Sequence, residues 1–319
     1  MKFKHTFHVF VDNFSVTYKH LLYRLVILLI AAGLYAAVLH PLIDKITGSA
    51  QWQSLIEGVK SFLKNLVQGH PTELGQATEQ IKESFTALLT YISHNAGKVV
   101  WSIVGVIAVH LVEKFFSGLG NYAMAAVIND KMALRAQSPY LLTLIKNLKE
   151  ACLYNLIYAP LSILYDFICY SCLGLLFFKA MSFLYFPFQI FLFVTLVVVA
   201  ISFKMVFTTD WLPALIRGKK GQKKSFLYTF DRRRKNTFNV LSNFVVIILI
   251  IFAVNVGAVV FTFGAAALIT VPSSYAILVC FEFVNYYDRE ELKYFIDKNT
   301  IIKPEKERTP TREEFFKGE

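Results

Sequence analysis

Apolar positions along the chain follow two different patterns. In the first, Phe3, Phe7, Phe10, Phe14 and Tyr18 recur at helical spacing between Lys2, Lys4 and Lys19. Residues 1–20 are thus predicted to form an amphipathic helix lying on a membrane surface. In the second, apolar residues run on almost unbroken. The first such run, 21–39, stops at Pro41 and carries Arg24 where its long side chain can reach the inner surface. Further runs at 98–116, 151–178, 183–207, 240–262 and 264–287 are each long enough to cross roughly 30 Å of hydrocarbon. The stretch 151–207 is too long for one crossing, and the weaker segment 178–182 divides it into two. The predicted fold class is all-α, a polytopic membrane protein with six transmembrane helices and interfacial amphipathic helices.

The connecting segments have patterns of their own. Within 40–97, Trp52, Leu55, Ile56, Val59, Phe62, Leu63, Leu66 and Val67 fit one helix face. After Pro71 a second face runs through Leu74, Ala77, Ile81, Phe85, Leu88, Leu89 and Ile92. These two faces predict an external helical hairpin, packed on itself or on lipid, or else serving residues 42–97 as a surface for a protein partner or homo-oligomer. In the cytoplasmic segment 117–150, Ser138 and Pro139 form a helix-start signal, followed by an apolar stripe of Leu141, Leu144, Ile145 and Leu148 along the inner leaflet. Residues 209–239 form a basic loop, and 288–319 a charged tail.

Composition agrees with a lipid-facing surface: 55% of residues are hydrophobic, 17% are charged, and mean hydropathy is +0.50. The net charge of +11 flanks the apolar spans and forms no separate basic module, which points to anionic membrane lipid and not to nucleic acid. Orientation follows from the distribution of Lys and Arg. The segments 1–24, 117–150, 209–239 and 288–319 hold 25 of them, whereas 40–98 and Lys179 hold 6. Both termini are thereby assigned to the cytoplasm. The four cysteines all lie inside apolar runs, which excludes an extracellular disulfide framework, and the Cys169–Cys172 spacing reads as two small apolar residues on a helix.

Intramembrane polar residues are the default candidates for function. Counting about 1.5 Å per residue from the inner ends, Asp166, Asn255, Ser273 and Ser274 fall at similar depth and are expected to form a midplane layer, with Pro272 beside it. Such a layer would serve a small-solute transporter or channel with Asp166 changing protonation, or would hold a protonated Asp166 hydrogen-bonded to a neighbouring helix. Nearer the inner surface, Glu113, Lys114, Lys204 and Glu282 are ion-pair candidates. In the basic loop, Trp211, Arg217, Lys219, Lys220, Lys223, Lys224, Arg232, Arg233, Arg234 and Lys235 are candidates for lipid contact, the aromatic ring inserting while cations meet headgroups.

No cofactor or metal is expected. The chain has no H-E-x-x-H, P-loop or G-x-S-x-G motif, and His40, His70 and His94 share the external segment without ligand spacing. A lipid-modifying enzyme would draw on Glu113, Glu282 and His110 alone and ranks last.

Residues 210–297 carry a recognisable order: Leu212-Pro213-Ala214-Leu215-Ile216, a glycine-containing basic stretch, Ser225-Phe226, two apolar spans with Pro272 in the second, and Asn285-Tyr286-Tyr287-Asp288-Arg289 at its exit. This order resembles the second half of bacterial six-span proteins related to YciC and of the membrane domain attached to some glycerophosphodiester phosphodiesterases. The resemblance implies a six-helix module of the bacterial envelope with interfacial helices preceding its spans. It transfers no active site, and the hairpin at 40–97 departs from the family pattern. The sequence thus leads to a non-enzymatic protein of the bacterial cytoplasmic membrane that contacts anionic lipid or acts as an assembly partner.

Overall fold

The computed structural model describes residues 2–68, 71–94, 96–136, 138–181, 183–217, 237–297 and 299–303. The elements in chain order are α1 (Lys2–Asp12), α2 (Phe14–Thr47), α3 (Ala50–Gln68), α4 (Pro71–His94), α5 (Ala96–Leu134), α6 (Tyr140–Lys146), α7 (Leu148–Leu175) closed by a π-helical turn (Leu176–Ala180), α8 (Phe186–Thr208), α9 (Trp211–Ile216), α10 (Thr237–Thr262) and α11 (Ala267–Arg289). A two-residue antiparallel pair follows, β1 (Tyr294–Phe295) with β2 (Ile301–Ile302). Among the described residues, six helices are long and apolar enough to cross a membrane, contributed by α2, α5, α7, α8, α10 and α11. The chain is an all-α polytopic membrane protein.

Two compact units divide the chain. The first comprises Met1–Leu25, Phe115–Cys169 and Thr195–Glu319; the second comprises Val26–Lys114 and Tyr170–Val194.

In the first unit, α11 is the central element: its last turns are buried continuously from Val279 to Tyr287. α1 packs along it, burying Val9 and Phe10, stacking Phe3 on Phe281 at 5.9 Å and passing Lys2 Nζ to Asn285 Oδ1 at 3.0 Å. At the other end of α1, Asp12 is held by Lys131 and Arg135 at 3.2 and 2.8 Å. The phenylalanine stripe predicted for a surface helix therefore splits. Phe10 enters the protein core, while Phe7 and Tyr18 stay exposed.

α5 does not stop at residue 116. It continues to Leu134 through Ser117, Gly118, Gly120, Ala123, Ala125 and Ala126, a tract whose low hydropathy reads as a loop. The small side chains suit close packing: Gly118 lies against Asn155, and Gly120 against Tyr23 and Tyr140. Tyr122 adds a ring contact to Tyr154 at 6.2 Å. α6 starts as expected near Pro139, but Ser138 does not cap it. Its hydroxyl donates to Asp130 Oδ2 at 2.6 Å, and Pro139 occupies the N-cap. Leu141, Leu142 and Ile145 are exposed along α6.

In the second unit, α3 and α4 form an antiparallel hairpin, with Gly58 against Ile81 and Ser54 Oγ 2.8 Å from Ser84 Oγ. Its seam is made of small and polar residues: Ser54, Gly58, Asn65, Ala77 and Ser84, with Leu88 at one end. At 100° per residue, Val59, Leu63, Leu66 and Val67 fall on a separate stripe of α3. They are exposed, Val67 to 86%. These four residues thus point away from the helix–helix contact, whereas Ile81 packs on Gly58 and Leu88 is buried.

Candidate functional site

The predicted midplane layer resolves into separate polar clusters. In the first unit, Asp166 does not meet Asn255. Its Oδ1 accepts from Lys204 Nζ at 2.6 Å, and Lys204 also lies 3.4 Å from the Ser162 carbonyl and 5.8 Å from the Tyr165 ring centroid. Both side chains are mostly buried. This corrects one expectation: Asp166 is part of an ion pair with Lys204 and not a lone protonated carboxyl.

The reason lies in where depth was counted from. The early turns of α7 extend into the packed core, where Ala151, Tyr154 and Asn155 are buried, so residue 151 marks no membrane surface. A lysine side chain projects toward the N-terminus of its own helix. Lys204, near the end of α8, consequently reaches up toward Asp166.

Asn255 makes its own closed network. Its Nδ2 donates to Ser274 Oγ at 2.9 Å, its Oδ1 accepts from Thr270 Oγ1 at 2.8 Å, and Ser274 Oγ donates to the Thr270 carbonyl at 2.6 Å. Ser273, one residue and 100° around the helix, is not a member. Thr270 was missed, although its spacing four residues before Ser274 places both on one face. The network joins α10 to α11 and satisfies its own donors and acceptors, as a structural clasp does.

Glu113, an ion-pair candidate, lies beside His110. In the second unit Tyr35 Oη lies 3.1 Å from His110 Nδ1 and donates to Glu113 Oε2 at 3.3 Å, while His110 and Glu113 are 3.4 Å apart. Tyr35 is eleven residues beyond Arg24, about 16 Å along the helix, and α5 extends far past residue 114. Glu113 and Lys114 therefore sit near the middle of α5. Nothing in the sequence identifies Tyr35, because the register between α2 and α5 is a tertiary property.

The motif residues behind the family resemblance converge in the first unit. Arg289 Nη1 lies 2.6 Å from Asp210 Oδ2, which is almost fully buried, and the Arg217 guanidinium is 5.7 Å from the Tyr287 ring centroid. Tyr287 Oη donates to Asn129 Oδ1 at 3.0 Å. Leu212, Ala214 and Leu215 are core residues beside Tyr286 and Tyr287, and Trp211 meets Tyr158 edge-on at 6.3 Å. Trp211 and Arg217 thus each touch an aromatic ring of the protein while remaining partly exposed. The remaining loop candidates, Lys219, Lys220, Lys223, Lys224, Arg232, Arg233, Arg234 and Lys235, lie outside the described residues, as do His70 and the tail beyond residue 303. Glu282 is buried in α11, within electrostatic reach of Tyr154 and Tyr158.

Outside the spans, Tyr140 is buried and donates to the Gly120 carbonyl at 3.0 Å; burial pushes its phenol well above the ordinary range. Among the described residues, no group of three His, Cys, Asp or Glu could hold a metal ion, and the four cysteines are free thiols. No family model, curated protein or solved structure matches the chain.

Proposed function

We propose that the protein is a non-enzymatic component of the bacterial cytoplasmic membrane, with both termini in the cytoplasm, working through contact with anionic lipid or an assembly partner. The observation that carries this reading is the α3–α4 hairpin. Its helices meet where Gly58 lies against Ile81 and Ser54 against Ser84, and Val59, Leu63, Leu66 and Val67 of α3 form a stripe that faces outward. A contiguous apolar stripe of this kind marks a surface that lipid or protein covers. The exposed stripe of α6, the excess of Lys and Arg in the assigned inner segments, and the resemblance to envelope six-span proteins point the same way.

Native mass spectrometry of the protein purified in mild detergent tests the proposal. Wild type is expected to retain anionic phospholipid or a partner protein, and replacing Leu63, Leu66 and Val67 by serine should reduce that retention several-fold. Retention unchanged in this variant, or absent from wild type, overturns the reading.

The Asp166–Lys204 pair supports a second reading, a small-solute transporter or channel, because ionisable pairs inside spans commonly mark ion pathways. The closed Asn255 network weighs against it, since a solute path needs groups that change partners. Flux in reconstituted vesicles that survives Asp166→Asn removes the coupled role for that carboxyl.

A further inference from the structure

The second unit contains a cleft of about 630 Å³ between α4 and the last turns of α7 with its π-helical turn. One wall carries Phe85 and Leu89; the other carries Leu175 and Phe178. The Phe85 and Phe178 rings stack across it at 5.2 Å. Gly174 lines it as bare backbone: a Cβ built there meets nothing within 4 Å. Among the described residues, the charged ones lining it are two lysines, Lys82 on one wall and Lys179 on the other.

We propose that this cleft binds an acyl chain of a membrane phospholipid whose anionic headgroup is met by Lys82 and Lys179. The size is that of a small-ligand site, about 300–1,000 Å³. It is too small for a helix from a partner: two turns about 10 Å across and 11 Å long occupy roughly 850 Å³. A flexible chain fits, and its apolar surface matches walls that supply phenylalanine and leucine. Lysine suits the rim, since its methylene stem lies along apolar surface while the ammonium stays at the polar edge. Lys82 has Glu79 3.6 Å away on the preceding turn, but the two side chains are 41% and 65% exposed, and solvent-accessible pairs of that kind are weak enough to yield to a phosphate. The positive rim over an apolar cleft selects a lipid of net negative charge. This inference is independent of the hairpin's outward stripe, which lies on α3.

The test uses the full chain in phosphatidylcholine vesicles doped with phosphatidylglycerol that carries a photoactivatable group on its acyl chain, with labelled phosphatidylcholine as the neutral comparison. Labels are mapped by mass spectrometry. The proposal expects labelling within 82–89 and 170–179, several-fold stronger with the anionic probe. Gly174→Trp, which fills the cleft, should cut this labelling at least five-fold, roughly a loss of 1 kcal/mol. Lys82→Gln with Lys179→Gln, which leaves the packing intact, should bring the two probes to equal labelling. Labelling unaffected by Gly174→Trp, or no headgroup preference in wild type, overturns the proposal. Labels confined to Leu63 and Val67 would also overturn it while leaving the hairpin reading intact.

Discussion

Gly118 and Gly120 stand where side chains from other helices have taken the space a Cβ would need. A Cβ at Gly118 would come within 1.8 Å of Asn155 Oδ1, and one at Gly120 within 2.5 Å of the Tyr23 ring. Asn155 is fully buried and tied through Nδ2 to the Ala151 carbonyl at 2.8 Å, so it has little room to retreat. Helix propensity alone favours alanine over glycine by about 0.8–1.0 kcal/mol, while overpacking costs about 1–3 kcal/mol. Gly118→Ala should therefore lower thermal stability in detergent, and Gly174→Ala, with open space around it, should leave it level or raise it. A stabilised Gly118→Ala would contradict this packing. Asp297 offers a second test at this scale. Its Oδ1 accepts from the backbone N–H groups of Asn299 and Thr300, both at 2.8 Å, and these bonds, that of Asn299 first, hold the carboxyl below its ordinary value of 3.8. A depressed folded-state value means that the contribution to the turn is complete above that ordinary value and disappears as pH falls through the lowered one. Amide chemical shifts of Asn299 and Thr300 should titrate below pH 3.8; a midpoint at or above it would contradict the assignment.

Between elements, the interaction that can be isolated is the Asp166–Lys204 pair joining α7 to α8. Removing one partner from a buried pair costs about 3–5 kcal/mol. Here the side chains are 23% and 14% exposed, and a loss of about 1–3 kcal/mol is expected for Asp166→Asn. Combining it with Lys204→Met should recover much of the loss, because no cation is then left in apolar surroundings. A double-variant loss equal to the sum of the losses of Asp166→Asn and Lys204→Met taken singly would show the two residues to be uncoupled. This pair also marks how far sequence reaches. Spans were legible because lipid demands long apolar runs, and the division of 151–207 is visible as the π-helical turn and bend after Leu175. The reach of α5 to Leu134 was not legible, since glycine and alanine chosen for close packing look like a weak span end. Depth counted along single helices placed Asp166 with Asn255. Which side chains meet depends on rotation and register between helices, and only the structure supplies Lys204, Thr270 and Tyr35 as partners. Likewise, the apolar stripe of α1 reads equally well as lipid-facing or protein-facing until α11 appears beside it.

For the whole molecule, the described residues contain six helices long and apolar enough to cross a membrane, and the topology we propose, drawn from the uneven distribution of Lys and Arg, puts both termini in the cytoplasm. In that proposed topology the hairpin α3–α4 lies on the opposite face. A soluble hairpin would bury its leucines and valines between its helices; this one encloses Ser54, Gly58 and Ser84 and presents Leu63, Leu66 and Val67. The central claim is that this outward stripe works by contact. Nitroxide labels at Leu63 and Val67 in the reconstituted protein test it most directly, by comparing collision with oxygen, which concentrates in lipid, against collision with a water-soluble nickel chelate. High oxygen and low nickel accessibility is predicted for lipid contact, and low accessibility to both for a protein partner. High nickel accessibility at both positions would place the stripe in water and contradict the account.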